Sequence, residues 1–166
     1  KGDRVKIKEI FTTSLVASAN TATMALVNAS GLTEKEFVEQ MNAKMKELDL
    51  RKTRFVDPVG LGAGNVSTAL EEATLLAEYS FSTEQGVPKT VKNTDALLDD
   101  FAHGDIRIKG GKTGYTEGAG YCFAGAFQDH QERSLISVVL GGEKRSSRFD
   151  ETKKIIAWSY DSYVWK

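Results

Sequence analysis

Two short runs in this sequence carry side chains able to present a positive charge or to place a hydroxyl beside an amide. Gly110-Gly111-Lys112-Thr113-Gly114 joins glycines, past which another backbone can run closely, to a lysine able to present a fixed positive charge. A phosphate-binding loop needs glycine six positions before its lysine, and that position is Ile106, so the nucleotide reading fails. Taken alone, Lys-Thr-Gly reads as a glycine-rich strand entry with a solvated lysine. Ser18-Ala19-Asn20 sets a hydroxyl and an amide two residues apart at a helix break, where both can reach one cleft if the backbone is not helical. Serine and asparagine are also favoured as helix caps, and capping alone would account for them. His103 and His130 stand far apart, with no Cys, Asp or Glu cluster at ligand spacing, so no metal site and no cofactor is expected. Cys122 falls in a predicted strand and reads as a small buried residue, since no base accompanies it. Asn65, after Gly64, fits turn chemistry.

The elements that must position these residues are visible as hydrophobic periodicity. Ile7, Ile10, Phe11 and Leu15, then Met24, Ala25 and Val27, predict two helices between Val5 and Asn28, broken at Ser18-Ala19-Asn20-Thr21. Gly31 is a stop signal. Thr33 with Glu36 forms a capping box before the stripe Phe37, Met41, Met45 and Leu48. A short strand is expected at Thr53 to Val56, then an Asp57-Pro58 turn and a loop with Gly60, Gly62 and Gly64. Ser67 or Thr68 then caps a helix reaching about Tyr79, and Glu71 and Glu72 suit its N-terminal end. Ser82 to Lys92 reads as an irregular connection around Gly86 and Pro88. Ile106 to Lys109, Gly120 to Gln128 and Leu135 to Leu140 predict three antiparallel strands, and Arg145 to Tyr163 predicts a helix packed on them. The class is α+β, with a helical part over about 5–80 and a strand and C-terminal helix part over about 105–163.

Composition bounds the partners. The 166 residues include 22 Lys+Arg and 23 Asp+Glu, a net charge of −1, which provides none of the excess that nucleic acid or an anionic membrane demands. The chain is long enough for one compact domain, and a core at this size buries roughly 70% of the unfolded surface without disulfides or metal. The single Cys122 excludes an internal disulfide. The start, Lys1-Gly2-Asp3-Arg4-Val5, has neither Met nor a signal-like apolar stretch and reads as an interior point of a longer chain.

Ser-x-Asn followed by Lys-Thr-Gly, together with the flanking runs, resembles the penicillin-interacting serine D-alanyl-D-alanine carboxypeptidases, the DD-peptidases of peptidoglycan maturation. The runs that carry the likeness are Ala17-Ser18-Ala19-Asn20, Phe55-Val56-Asp57-Pro58-Val59-Gly60-Leu61, Ser67-Thr68-Ala69, Lys92-Asn93-Thr94-Asp95-Ala96-Leu97-Leu98, Lys112-Thr113-Gly114-Tyr115-Thr116 and Gly120-Tyr121-Cys122. The resemblance implies a β-lactamase-like fold, an antiparallel sheet flanked by helices, acting on peptidoglycan stem peptides that end in D-Ala-D-Ala. It also implies β-lactams as inhibitors and an extracytoplasmic location.

In that family a serine in Ser-x-x-Lys is acylated and then released by water. No lysine of this sequence has Ser three residues before it. The resemblance therefore implies that the chain begins part way through the catalytic domain, and that the nucleophile comes from a missing segment or a second chain. It assigns Ser18 to relaying a proton to the leaving amine and Asn20 to the substrate's amide carbonyl. Lys112 would supply positive potential and hydrogen bonds to Ser18, and Thr113 would contact the terminal carboxylate. Gly114 would allow close passage of the substrate, and the Tyr115 N–H would donate to the oxyanion. Competing readings are a non-catalytic peptidoglycan-binding or regulatory relative, and a site in which Ser18 itself is the nucleophile with Lys112 as base. A class A β-lactamase is disfavoured, because no Glu-x-x-x-Asn stands between the two motifs.

Overall fold

The computed structural model describes residues 4–79 and 104–165. They fall into two compact units, residues 4–68 and residues 69–79 with 104–165. His103, the connection expected at Ser82 to Lys92 and the run Lys92 to Leu98 lie outside the described residues.

The first unit begins with α1 (Ile7–Ala17) and α2 (Asn20–Ala29), the two helices expected around the Ser18–Thr21 break. The hydroxyls of Ser14 and Thr23 meet at 2.6 Å and tie the helices together. Gly31, at φ +77°, turns the chain away from α2. The capping box opens α3 (Glu34–Glu47): Thr33 Oγ1 accepts the Glu36 N–H at 3.3 Å, and the Glu36 carboxylate accepts the Thr33 N–H at 2.8 Å. Val27, Met45 and Leu50 are the buried apolar residues here. No residue of α1 is buried, and Ile7, Phe11 and Leu15, spaced four apart, are 62%, 49% and 44% exposed.

The strand expected at Thr53 to Val56 does not form. Only Arg54 and Val66 pair, through backbone bonds of 2.8 and 2.9 Å. Side-chain amides take the neighbouring backbone groups instead: Phe55 N–H donates to Asn42 Oδ1 at 2.9 Å, and Val56 N–H to Asn65 Oδ1 at 2.6 Å. The Asp57 carboxylate then organises the glycine loop. It accepts the N–H groups of Val59, Gly60, Leu61 and Gly62 at 2.8, 2.7, 3.3 and 2.5 Å, and the Asn65 amide at 3.0 Å. Burial pushes its pKa up, but the bonds from Gly62, Val59, Leu61 and Gly60 together outweigh that and leave it below the usual carboxylate value.

In the second unit α4 (Ala69–Tyr79) packs on a three-stranded antiparallel sheet. The order is β1 (Arg107–Thr116), β2 (Gly120–Gln128), β3 (Ser134–Gly142), followed by α5 (Ser147–Ser162). Strand alternation sorts β2 cleanly: Phe123, Gly125 and Phe127 are buried, while Ala124 and Ala126 are half-buried. Phe123 and Phe127 form one core with Ile106, Phe149 and Ile156, and Ile108, Leu135 and Tyr160 pack at its margin. Gly120 takes φ +69° at the β1–β2 turn, and an added Cβ there would sit 3.0 Å from the Gly142 carbonyl.

The first strand is longer than the spacing predicts. Gly110 to Gly114, expected as an entry before the strand partner, lies inside β1 and pairs residue by residue with Ala126 to Cys122. A bulge between Ile108 and Gly110 absorbs one residue and lets the ladder continue.

Candidate active site

Ser18 and Asn20 belong to the first unit, and Lys112, Thr113, Gly114 and Tyr115 to the second. At the α1–α2 junction Ser18 is left-handed, φ 51° and ψ 38°, and Ala19 is extended, φ −79° and ψ 104°. The backbone between the helices is thus non-helical, the condition under which this hydroxyl and amide can share a cleft. Ser18 does stand at a helix end, as the left-handed C-cap of α1, but Asn20 does not cap α2. Ala19 occupies the N-cap position of α2 with no side-chain cap bond, and Asn20 is already the first helical residue. A left-handed non-glycine residue costs about 1–2 kcal/mol, so the junction holds Ser18 in a conformation its own backbone disfavours.

Lys112 to Tyr115 are consecutive on β1, an edge strand among the described residues. Lys112 Nζ donates to the Thr113 carbonyl at 2.8 Å. Burial of the ammonium, and after it the charge of Arg148, lower its pKa from the ordinary lysine value. Among the described residues Gly114 has no internal reason to be glycine: its φ is not left-handed, and of their atoms a Cβ there would meet only Cys122 Cβ, at 3.8 Å. The missing side chain leaves room outside the strand. Tyr115 is 53% exposed, and its ring stacks on Tyr121 with centroids 4.2 Å apart.

Residue patterning missed Arg148. It sits in the first turn of α5, only 5% exposed, and its Nη1 donates to the carbonyls of Gly114 at 3.1 Å and Cys122 at 3.4 Å. Its partners are 34 and 26 residues away in sequence, so no local spacing announces the contact.

The remaining candidates are placed plainly. Cys122 is free and half-buried rather than buried, its thiol 3.6 Å from the Ala119 carbonyl. His130 Nδ1 meets Asp105 Oδ2 on an exposed turn. Asn65 fastens the Asp57 loop. Among the described residues no group of His, Cys, Asp or Glu is arranged to hold a metal ion, and no helix is long and apolar enough to cross a membrane.

The second unit is α+β, a three-stranded antiparallel sheet with helices packed on it and Lys112-Thr113-Gly114 on its first strand. Residues 1–144 match the family model described as D-alanyl-D-alanine carboxypeptidase, and the chain belongs to that family. It is 31% identical over 176 residues to the D-alanyl-D-alanine carboxypeptidase DacD of Escherichia coli K12, covering 99% of this chain and 44% of that protein. The structure is similar to that of penicillin binding protein 6B from Escherichia coli, with a TM-score of 0.81 and 30% identity over 96% of this chain and 53% of that one. Penicillin binding protein 5 from Haemophilus influenzae gives a TM-score of 0.81 and 29% identity over 96% and 49%. The chain spans less than half the length of the curated relative.

Proposed function

We propose that this chain carries the proton-relay and oxyanion side of a serine-type D-Ala-D-Ala carboxypeptidase. Its substrate is a peptidoglycan stem peptide ending in D-Ala-D-Ala, its inhibitors are β-lactams, and it works outside the cytoplasmic membrane. The observation that carries the reading is Gly114, a glycine in the middle of an edge strand that neither backbone conformation nor internal packing requires. A substrate lying along β1 would supply the requirement.

The sequence contains no Ser-x-x-Lys, so the acylated serine belongs to residues outside it. That serine's Oγ bonds to the carbonyl carbon of the penultimate D-Ala while its proton goes to the lysine of the same Ser-x-x-Lys motif and from there to Ser18, and the carbonyl oxygen becomes an oxyanion held by the Tyr115 N–H. The C–N bond then breaks, and Ser18 passes a proton to the departing D-Ala amine. Water later attacks the ester and returns the serine. Lys112 keeps the cleft positive through both steps, Thr113 binds the terminal carboxylate, and Asn20 binds the substrate's amide carbonyl. Loss of one oxyanion donor costs about 2.7–4 kcal/mol in comparable acyl transfers.

Intact-protein mass spectrometry before and after benzylpenicillin tests the reading, with the adduct located by peptide mapping. A one-to-one adduct on a serine outside residues 1–166 is expected. An adduct on Ser18 would replace its relay role with that of nucleophile. Absence of any adduct would favour a non-catalytic peptidoglycan-binding relative, the reading that the missing Ser-x-x-Lys supports.

A further inference from the structure

Arg148 is an expensive residue for α5 to carry. A cation in the first helical turn opposes the helix dipole, and a guanidinium that is 5% exposed has lost most of its water. Compensation must come from what surrounds it. Two carbonyls accept from Nη1, those of Gly114 and Cys122, and the guanidinium lies over the rings of Tyr121 and Phe149, 5.5 and 4.8 Å from their centroids. Every one of these partners lies on the β1–β2 hairpin or beside Arg148 on α5.

The carbonyl of Gly114 and the N–H of Tyr115 are two ends of one peptide unit. That unit is planar and trans, so the two groups point in opposite directions and turn together. We propose that Arg148 is a positioning residue for the oxyanion donor: by binding the Gly114 carbonyl from behind the strand it fixes the direction of the Tyr115 N–H and strengthens it as a donor. The strengthening is polarisation, because a cation on the carbonyl oxygen draws electron density from the amide nitrogen. A second contact steadies the same peptide through the Tyr115 side chain: Tyr121, under the guanidinium, stacks on Tyr115. The inference rests on the reading of the Tyr115 N–H as an oxyanion donor. Arg148 itself touches no reacting atom.

The test compares Arg148→Met and Arg148→Gln with the parent in the full-length protein. Stopped-flow acylation by benzylpenicillin separates the dissociation constant of the pre-covalent complex from the acylation rate constant. In the Met variant the rate constant is expected to fall about 10-fold to 100-fold, less than the 10²–10³ of losing a donor outright. The dissociation constant should change by less than about threefold. The Gln variant, which keeps a donor without the charge, should fall between, and it also serves if the Met variant does not fold. Heteronuclear NMR reads the Tyr115 amide directly, and its proton should move upfield when Arg148 is replaced. An unchanged acylation rate, or a parallel loss of binding and rate with the Tyr115 amide unmoved, overturns the proposal. If the parent protein never acylates, the catalytic reading falls, while the amide shift alone still decides whether Arg148 governs the Tyr115 N–H.

Discussion

Gly114→Ala separates a glycine kept for a ligand from glycines kept for the fold. The backbone at Gly114 is accessible to alanine, and among the described residues the new Cβ would touch only Cys122 Cβ at 3.8 Å, an ordinary contact. Alanine also narrows the unfolded ensemble, which favours folding by about 0.4–1 kcal/mol where the native site accepts it. The variant should therefore be as stable as the parent or slightly more so. Two internal controls should behave otherwise. A Cβ at Gly62 would lie 2.6 Å from Asp57 Oδ2 and 2.7 Å from Val56 Cγ2, and one at Gly125 would lie 2.7 and 2.9 Å from atoms of the Phe123 ring. Overpacking of this kind costs roughly 1–3 kcal/mol, which for a domain of this size lowers Tm by about 2–4 °C per kcal/mol. Thermal and urea unfolding measure the three variants side by side. Acylation by benzylpenicillin should show the reverse order: Gly114→Ala displaces the substrate carbonyl by about 1 Å, enough to slow reaction some 10²-fold. The reasoning is refuted if Gly114→Ala is as destabilised as Gly125→Ala, or if it acylates at the parent rate.

Two further outcomes follow from the first unit. Ser18→Gly should slow acylation and be more stable than Ser18→Ala by roughly 0.5–1 kcal/mol, the relief of a left-handed residue less the greater unfolded freedom of glycine; a Tm no higher than that of Ser18→Ala would contradict the strain assigned to position 18. Asp57→Asn removes the charge that accepts four backbone N–H groups and should cost about 1.5–3 kcal/mol at neutral pH. Because the folded pKa of Asp57 is lowered, its contribution is complete above the unfolded value of about 3.9 and is lost as pH falls through the folded one. Urea midpoints at pH 7 and pH 3 should therefore converge between parent and variant at the acid end, and a constant gap would refute the assignment.

Local chemistry made most of the elements readable. The Thr33–Glu36 box, the break at Ser18 and the aromatic-containing run Gly120 to Gln128 each act within a few residues and mark their elements without a long-range partner. The reading erred where non-local partners won. Thr53 to Val56 has strand-forming residues, yet Asn42 and Asn65, 13 and 9 residues from the backbone groups they bind, take the N–H groups that a ladder would use. Ile106 to Lys109 marks only the beginning of a strand, yet pairing with β2 carries it through Gly114 to Thr116.

The residue types and order of the candidate site are properties of the sequence alone: Ser18 and Asn20, then Lys112, Thr113, Gly114 and Tyr115, and the absence of Ser-x-x-Lys among them. Spacing along a chain encodes such motifs because their residues share one turn or one strand. Only the tertiary structure decided that Gly114 is free of internal demands, and that Arg148 stands behind its carbonyl. Both depend on which atoms surround a peptide once α5 has packed against the hairpin, and that neighbourhood is set by burial of Phe123, Phe149 and Ile156 in a common core rather than by any local preference at positions 114 or 148.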